Sequence, residues 1–257
     1  MNCRIICALS LFLSAFSLRA APSLGSAGSF SVLGASTVTN TGDTVLSGDL
    51  GLWGGTSITG FPPGIVDGTI HQTDGVAQQA QADALTAYNS LASSTPTQNL
   101  SGQDLGGKIL MPGVYAFDSS AQLTGQLTLN TQGNPAAIFI FVIGSTLTTA
   151  SGSSVVTSNG AACCNVYWVV GTSTTLGTTT NFLGNILANI SITLDSGANI
   201  VDGSALALNG AVTLDDNNIS NICAASNGVP EPGTVALLGA GLFAVVLFRR
   251  TSRKRAT

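Results

Sequence analysis

Between Ala21 and Gly228 the chain has no glutamate, no arginine and a single lysine, Lys108, set against eleven aspartates. A net charge near −10 with no basic cluster excludes the electrostatic grip that nucleic acids and anionic membrane surfaces require. Histidine is nearly absent as well. His71 is the only one, and no two cysteines stand in CxxC spacing, so neither a metal centre nor a cofactor is expected. Thr, Ser, Gly and Asn fill the space, and with a charged fraction of 8% they point to a neutral, hydroxyl-rich exterior. At roughly 208 residues this stretch suits one domain with a substantial core.

Long apolar runs are also lacking. The two longest stand at the ends, and neither reaches the roughly 20 residues of a membrane-spanning helix. After Arg4, the run Ile5 to Leu18 leads to Ala20 and Ala21, the layout of a secretory signal peptide cut after Ala20. Residues 1–20 are therefore read as a leader, which would take Cys3 and Cys7 with it, and residues 21–228 as one domain. The tail, residues 229–257, is ordered as Val229-Pro230-Glu231-Pro232-Gly233, the apolar run Thr234 to Phe248, and the basic residues Arg249, Arg250, Arg253, Lys254 and Arg255. The basic cluster belongs on the cytoplasmic side of a membrane that this run is marginally long enough to cross.

Export makes a disulfide the natural state for the remaining cysteines, Cys163, Cys164 and Cys223. Vicinal cysteines rarely bond each other, because the ring is strained, so Cys164 with Cys223 is the expected pair and Cys163 with Cys223 the alternative.

What is abundant is patterned. Thr-Leu recurs at Thr128-Leu129, Thr146-Leu147, Thr175-Leu176, Thr193-Leu194 and Thr213-Leu214, with successive Leu residues 18, 29, 18 and 20 positions apart. A period near 18 is too short for helical repeats and suits one turn of a β-solenoid, whose coils stack about 4.8 Å apart. Leu rows would form the core, and Thr, Ser and Asn rows a flat outer surface. The long gap holds the excursion from Ser158 to Asn165. Short alternating segments from Phe30 to Ile70 read as coils out of register with this ladder. Between them Ala77, Ala80, Ala84, Tyr88 and Leu91 recur at helical spacing, which predicts one helix over about 74–92, started by Thr73 or Asp74 and lying on a solenoid face. The runs Ala137 to Ile143 and Val166 to Val170 are too continuous for half-exposed strands and are expected beneath that helix. Later coils, Phe182 to Ala188 and Ala205 to Leu208 among them, read as ordinary alternation.

These residues resemble a known family. Ala27-Gly28-Ser29-Phe30-Ser31-Val32-Leu33, Gly48-Asp49-Leu50-Gly51, Ile58-Thr59-Gly60-Phe61-Pro62-Pro63-Gly64, Pro112-Gly113-Val114-Tyr115, Gly184-Asn185-Ile186-Leu187-Ala188 and Asn209-Gly210-Ala211-Val212-Thr213-Leu214 follow, in order, the ice-binding-like domain (DUF3494) of microbial antifreeze proteins. The resemblance implies a mostly β fold, a discontinuous right-handed three-faced solenoid with one long α-helix packed along it, N-terminal coils stacking on C-terminal ones. It implies a monomer that adsorbs to ice and restrains ice growth and recrystallisation. It further implies an ice site carrying Thr, a small residue, any residue, then Thr or Asn. Thr41-Gly42-Asp43-Thr44 fits that pattern, and Ser196-Gly197-Ala198-Asn199 fits it with Ser first. Thr178-Thr179-Thr180-Asn181, Thr149-Ala150-Ser151-Gly152 and Thr131-Gln132-Gly133-Asn134 fit it in part. The site expected from the resemblance is Thr41, Thr44, Thr131, Thr149, Ser151, Thr178, Thr180, Asn181, Ser196 and Asn199. The tail, through Pro230, Glu231 and Pro232 with the apolar run and the arginines behind them, resembles the PEP-CTERM sorting signal. This implies removal by an exosortase-type enzyme and delivery to the cell surface or extracellular matrix after a transient stay on a membrane.

Two other functions fit parts of the chain. A polysaccharide-cleaving enzyme on a β-helix could draw carboxylates from Asp195, Asp202, Asp215 and Asp216. Against it, lyases of that architecture rely on Arg or Lys, of which the domain has one, and His71, with no obvious acid near it but Asp67 and Asp74, reads as a structural turn residue, so no catalysis is expected. A non-catalytic adhesive or matrix protein, bound to extracellular polysaccharide, is the alternative on the same scaffold.

Overall fold

The structure, a computed structural model, describes residues 22–159 and 165–221. The leader, Cys163, Cys164 and Cys223, among which the disulfide is expected, and the sorting tail with its apolar run lie outside the described residues.

Short strands carry the chain round a three-sided prism. Phe30–Gly34 lies in one sheet (A), Thr37–Thr41 in the next (B) and Val45–Leu46 in the third (C), and Asp49–Leu52 then returns to sheet A. All pairings are parallel, giving sheets of nine, seven and eight strands. Alternation within each strand sends Val32, Val38, Leu46, Leu176, Leu194 and Leu214 into one interior core.

The stack does not follow the sequence. In sheet A, Phe30–Gly34 pairs on one side with Asp49–Leu52 and on the other with Ala205–Ala207, so the first coil sits between the second and the last. The same insertion recurs in sheet B, where Val38 and Thr39 lie opposite Val212 and Thr213, and in sheet C, where Val45 lies opposite Asn218. After the end coil at Ile70–Gln72, the helix α1 (Gly75–Ala92) carries the chain back to Gln98–Asn99 at the far edge of sheet A. Its 18 residues span about 27 Å, and the nine strands beneath it span about 38 Å, so the helix with its flanking turns matches the stack it crosses.

α1 begins where Asp74 accepts a bond from the Ala77 N–H at 2.8 Å. Its buried face is Ala77, Ala80, Ala84, Ala87 and Leu91, and the small side chains let the helix settle on Ile140, Tyr167, Val169, Leu187 and Leu206. The runs Phe139–Ile143 and Val166–Val170 lie beneath it as the sequence predicted. Asn185–Ala188 and Ala205–Ala207, expected as ordinary alternation, are wholly buried there too. Apart from Asn185, which donates to the Val166 carbonyl at 3.3 Å, their residues are small or aliphatic on both faces, because one face meets the core and the other the helix.

Register corrects the Thr-Leu ladder. Thr128-Leu129 belongs to sheet C, and in sheet B Leu147 lies opposite Thr174, not Leu176. The offset is two residues, so every side chain keeps its face although the repeat slips. It leaves Thr174 pointing into the Leu147 and Ile192 row, 1% exposed, with a hydroxyl that has no hydrogen-bond partner. Removing a buried unpaired hydroxyl at constant shape is favourable. Thr174→Val is expected to stabilise the fold by about 1 kcal/mol and raise the melting midpoint by roughly 2–4 °C, checked by thermal unfolding.

The segment before the first strand is tied to α1 through Asp83, whose carboxylate accepts from the Ser26 N–H at 2.8 Å, the Ser26 hydroxyl at 2.7 Å and the Gln79 amide at 2.9 Å. The Ser26 N–H first, then its hydroxyl, holds the Asp83 pKa below 3.8, and the Ala77 N–H and then His71 do the same for Asp74. Both groups bind a proton more weakly folded than unfolded. Their stabilisation is therefore present above 3.8 and is lost as pH falls through the folded values. Burial raises the Asp202 pKa, a contribution of opposite sign. Taking the protein from about pH 5 to about pH 3 is expected to lower the melting midpoint, less steeply in Asp83→Asn. An equal slope in that variant would remove Asp83 from this account.

Candidate functional face

Helix α1 covers sheet A, which leaves sheets B and C as the broad open faces. On sheet B the outward residue of each strand is a neighbour of the next. Gln122 lies opposite Thr148, Thr148 opposite Thr175, and Thr175 opposite Thr193. Thr193 then lies opposite Thr213, Thr213 opposite Thr39, and Thr39 opposite Thr59. Six threonines thus form one unbroken row about 4.8 Å apart, roughly 24 Å long, crossing the junction between last and first coils without a gap. The Thr39 hydroxyl lies 3.5 Å from that of Thr213 across that junction.

A second hydroxyl rank runs beside the first, toward the corner with sheet A. Thr146 donates to Ser120 at 2.8 Å, the Ser173 hydroxyl accepts from the Ser191 N–H at 3.3 Å, and Thr37 lies opposite Ser57. Ala211 stands among them and accepts no bond through its side chain, although its N–H donates to the Ser191 hydroxyl. Charge stands outside the six threonines: at the opposite margin, where Asp195 follows its strand, Asp215 ends its own and Asp43 and Asp216 lie at the turn, at the sheet A corner with Asp118, and at the end of the row, where Asp104 lies opposite Gln122. Because β-branching stiffens Thr at χ1 and the strands are laddered on both sides, these side chains are held in place before any ligand arrives.

Sheet C carries a different row: Gln126, Ser154, Asn181, Asn199, Asn218, Val45 and Ile65. Part of its amide capacity is spent on the protein. Asn199 donates to the Gly197 carbonyl at 3.1 Å and accepts from the Asn218 N–H at 2.8 Å. Exposed Val201 and Ile109 interrupt the polar surface.

The residues singled out in the sequence separate into several places. Ser151, Thr178 and Ser196 are exposed and stack along the edge between sheets B and C, Thr178 donating to Ser151 at 2.7 Å. Thr41 continues that edge beyond Asp215, its Cα partner. Asn181 and Asn199 belong to the sheet C row. Thr44, Thr131, Thr149 and Thr180 are buried, at 0–3% exposure, and the structure corrects their assignment to a surface. Thr149 bonds Thr180 at 2.8 Å and accepts from the Gly177 N–H, Thr44 accepts from the Asn217 N–H at 3.0 Å, and Thr131 donates to Ser158 at a different corner.

Apart from the match at Thr131, the Thr-small-x-Thr pattern therefore follows the turn between sheets B and C, where Thr44 folds inward as an internal acceptor and Asn181 and Asn199 reach the sheet C row. Its small residue has a backbone reason at Gly42. There φ is +80°, and a Cβ would stand 1.9 Å from the Asp216 carboxylate that accepts from the Asp43 N–H. Thr39, Thr59 and Thr148 escaped the pattern. Thr175, Thr193 and Thr213 were in the Thr-Leu ladder itself, the signal that an outward Thr precedes each inward Leu.

The carboxylates considered for catalysis have structural partners where bonds are formed. Asp74 Oδ2 lies 2.7 Å from His71 Nδ1 while Oδ1 caps α1. Asp216 fastens the turn at Asp43. Among the described residues no group of three His, Cys, Asp or Glu side chains could hold a metal ion.

Comparison with known proteins agrees with this architecture. The model of the family described as Ice-binding-like matches residues 32–220, and that of the PEP-CTERM protein-sorting motif matches residues 228–254. An ice-binding protein of Nostoc sp. (strain HG1) is 57% identical over 237 residues, covering 90% of this chain and 88% of that one. The crystal structure of an ice binding protein from an Antarctic biological consortium superposes with a TM-score of 0.75 at 48% identity, covering 78% of this chain and 90% of that one. That of the Antarctic ascomycete Antarctomyces psychrotrophicus gives 0.75 at 42%, covering 78% and 98%.

Proposed function

The chain belongs to the ice-binding-like family, and from that membership we propose that it is an antifreeze protein that adsorbs to ice through the outer face of sheet B. The observation that carries the choice of face is the six-threonine row, unbroken across the coil junction.

Ice is a ligand made of the solvent, so affinity needs a surface that holds water near lattice positions before contact. A Thr hydroxyl anchors one water while its methyl leaves neighbouring water free to order against itself. Repetition along a rigid stack multiplies this arrangement, and because the side chains are already ordered, little entropy is lost on binding. Charged groups would hold water in the wrong geometry, and here they stand at the margins and, as Asp104, beyond the end of the threonine row. Adsorbed molecules would pin the ice front, force growth between them into curved surfaces, and so restrain growth and recrystallisation. No step of this requires bond making, a metal or a cofactor.

We further infer that residues 1–20 direct export and that an exosortase-type enzyme reads the tail at Pro230, Glu231 and Pro232, delivering the domain to the cell surface or matrix. The test of the face is ice-growth inhibition by the parent beside Val201→Tyr, a bulky change on the competing sheet C. Equal inhibition by both supports sheet B. Loss of inhibition in a folded Val201→Tyr protein would move the site to sheet C, and an inactive parent would end the ice reading.

A further inference from the structure

The path by which the chain leaves the solenoid bears on when it can act. After Asn218–Ile219, the last strand of sheet C, the chain reaches the corner between sheets C and A and is fastened there. The Asn221 amide donates to the carbonyls of Gly28 at 2.8 Å and Phe30 at 3.0 Å, and its N–H donates to the Ser47 hydroxyl at 3.0 Å. Ser47 in turn donates to the Ile219 carbonyl at 3.2 Å. First and last coils thus clamp the exit point part-way along the stack, since the last coil is the fifth of seven in sheet B.

In a three-sided prism the edge shared by sheets C and A lies opposite sheet B. The sorting motif begins at residue 228, so residues 222–227 join it to the clamp, a reach of about 20 Å when extended. A chain held by its tail therefore has the C–A edge toward the membrane and the threonine row on the far side. Exit at either corner of sheet B would have turned that row toward the bilayer. Charge acts in the same direction. Aspartates with only Lys108 as a base give the domain no attraction to an anionic lipid surface on which it could lie down.

We propose that the chain binds ice while still attached to a membrane, so that the unprocessed form is an ice adhesin and not a masked precursor. This rests on the ice reading of sheet B. The test places the full chain in phospholipid vesicles carrying a fluorescent lipid and grows ice slowly into the suspension. Vesicles bearing the parent chain are expected in the ice at several times the level of bare vesicles, and those bearing Thr193→Tyr at the bare level. Entry of the same full chain into ice from detergent solution, with exclusion of the vesicles that carry it, would overturn the proposal and leave the ice reading intact. Exclusion in both states would remove the ice reading, and this inference with it.

Discussion

Thr193→Tyr is expected to lower ice-growth inhibition at least tenfold while leaving the fold intact. Thr193 occupies the middle of the sheet B row, between Thr175 and Thr213. A Tyr ring there projects beyond both neighbours, which stand about 4.8 Å away, and lifts them from any flat surface the row approaches. Tenfold corresponds to about 1.4 kcal/mol, less than several hydroxyls contribute when they leave the ice together. The strand itself tolerates the change, because Tyr suits a pleated surface and the half-buried Thr193 side chain points away from the core. Thr193→Val and Thr193→Ser, each keeping half of the side chain's chemistry, should fall between parent and Tyr. Ice recrystallisation and thermal unfolding on the same samples check both halves. An active, folded Thr193→Tyr protein would remove sheet B as the site.

Trp168→Ala should have the largest effect on stability. The indole is fully buried in the sheet A interior, stacked on Phe141 at 3.8 Å and 7° and meeting Phe182 at 4.8 Å, with Tyr115 beyond Phe141 at 5.4 Å. Its Nε1–H donates to the Leu183 carbonyl at 3.0 Å in the core. Truncation opens a cavity at the centre of this column and strands that carbonyl, at a cost of about 3–5 kcal/mol. Against a total of about 5–15 kcal/mol this is a large share, and the melting midpoint should drop by roughly 6–20 °C. Trp168→Phe keeps the stack and loses only the donor, so it should cost much less. A loss below about 1 kcal/mol in Trp168→Ala, measured by denaturant unfolding, would show that the aromatic column is not what joins the coils.

These two sites differ in how far the sequence revealed them. The helix was legible because Ala80, Ala84 and Leu91 must share a face at any tertiary arrangement, and the runs at Phe139 and Val166 were legible because only double burial tolerates them. Register was less so. A β-coil preserves the inward or outward sense of each residue but not the number of residues at its corners, so Leu147 could slip two places against Leu176 without exposing either. The insertion of the first coil beside the last was visible only as segments out of step, and the family resemblance supplied its meaning.

The site shows the opposite lesson. Thr175, Thr193 and Thr213 stood in the repeat from the start, yet the four-residue motif drew attention to positions one to six residues further on. Those positions describe a turn, in which Thr44, Thr149 and Thr180 serve the backbone from within. A short pattern cannot distinguish a residue that repeats because it faces a ligand from one that repeats because every corner needs the same bond.

The most direct measurement is ice-affinity partition. The fluorescently labelled chain is mixed with an inert labelled protein of similar size, and ice is grown slowly into the solution. Enrichment of the chain in the ice fraction, with the inert protein left in the liquid, is the predicted result. Rejection of both into the liquid would contradict the account at its root.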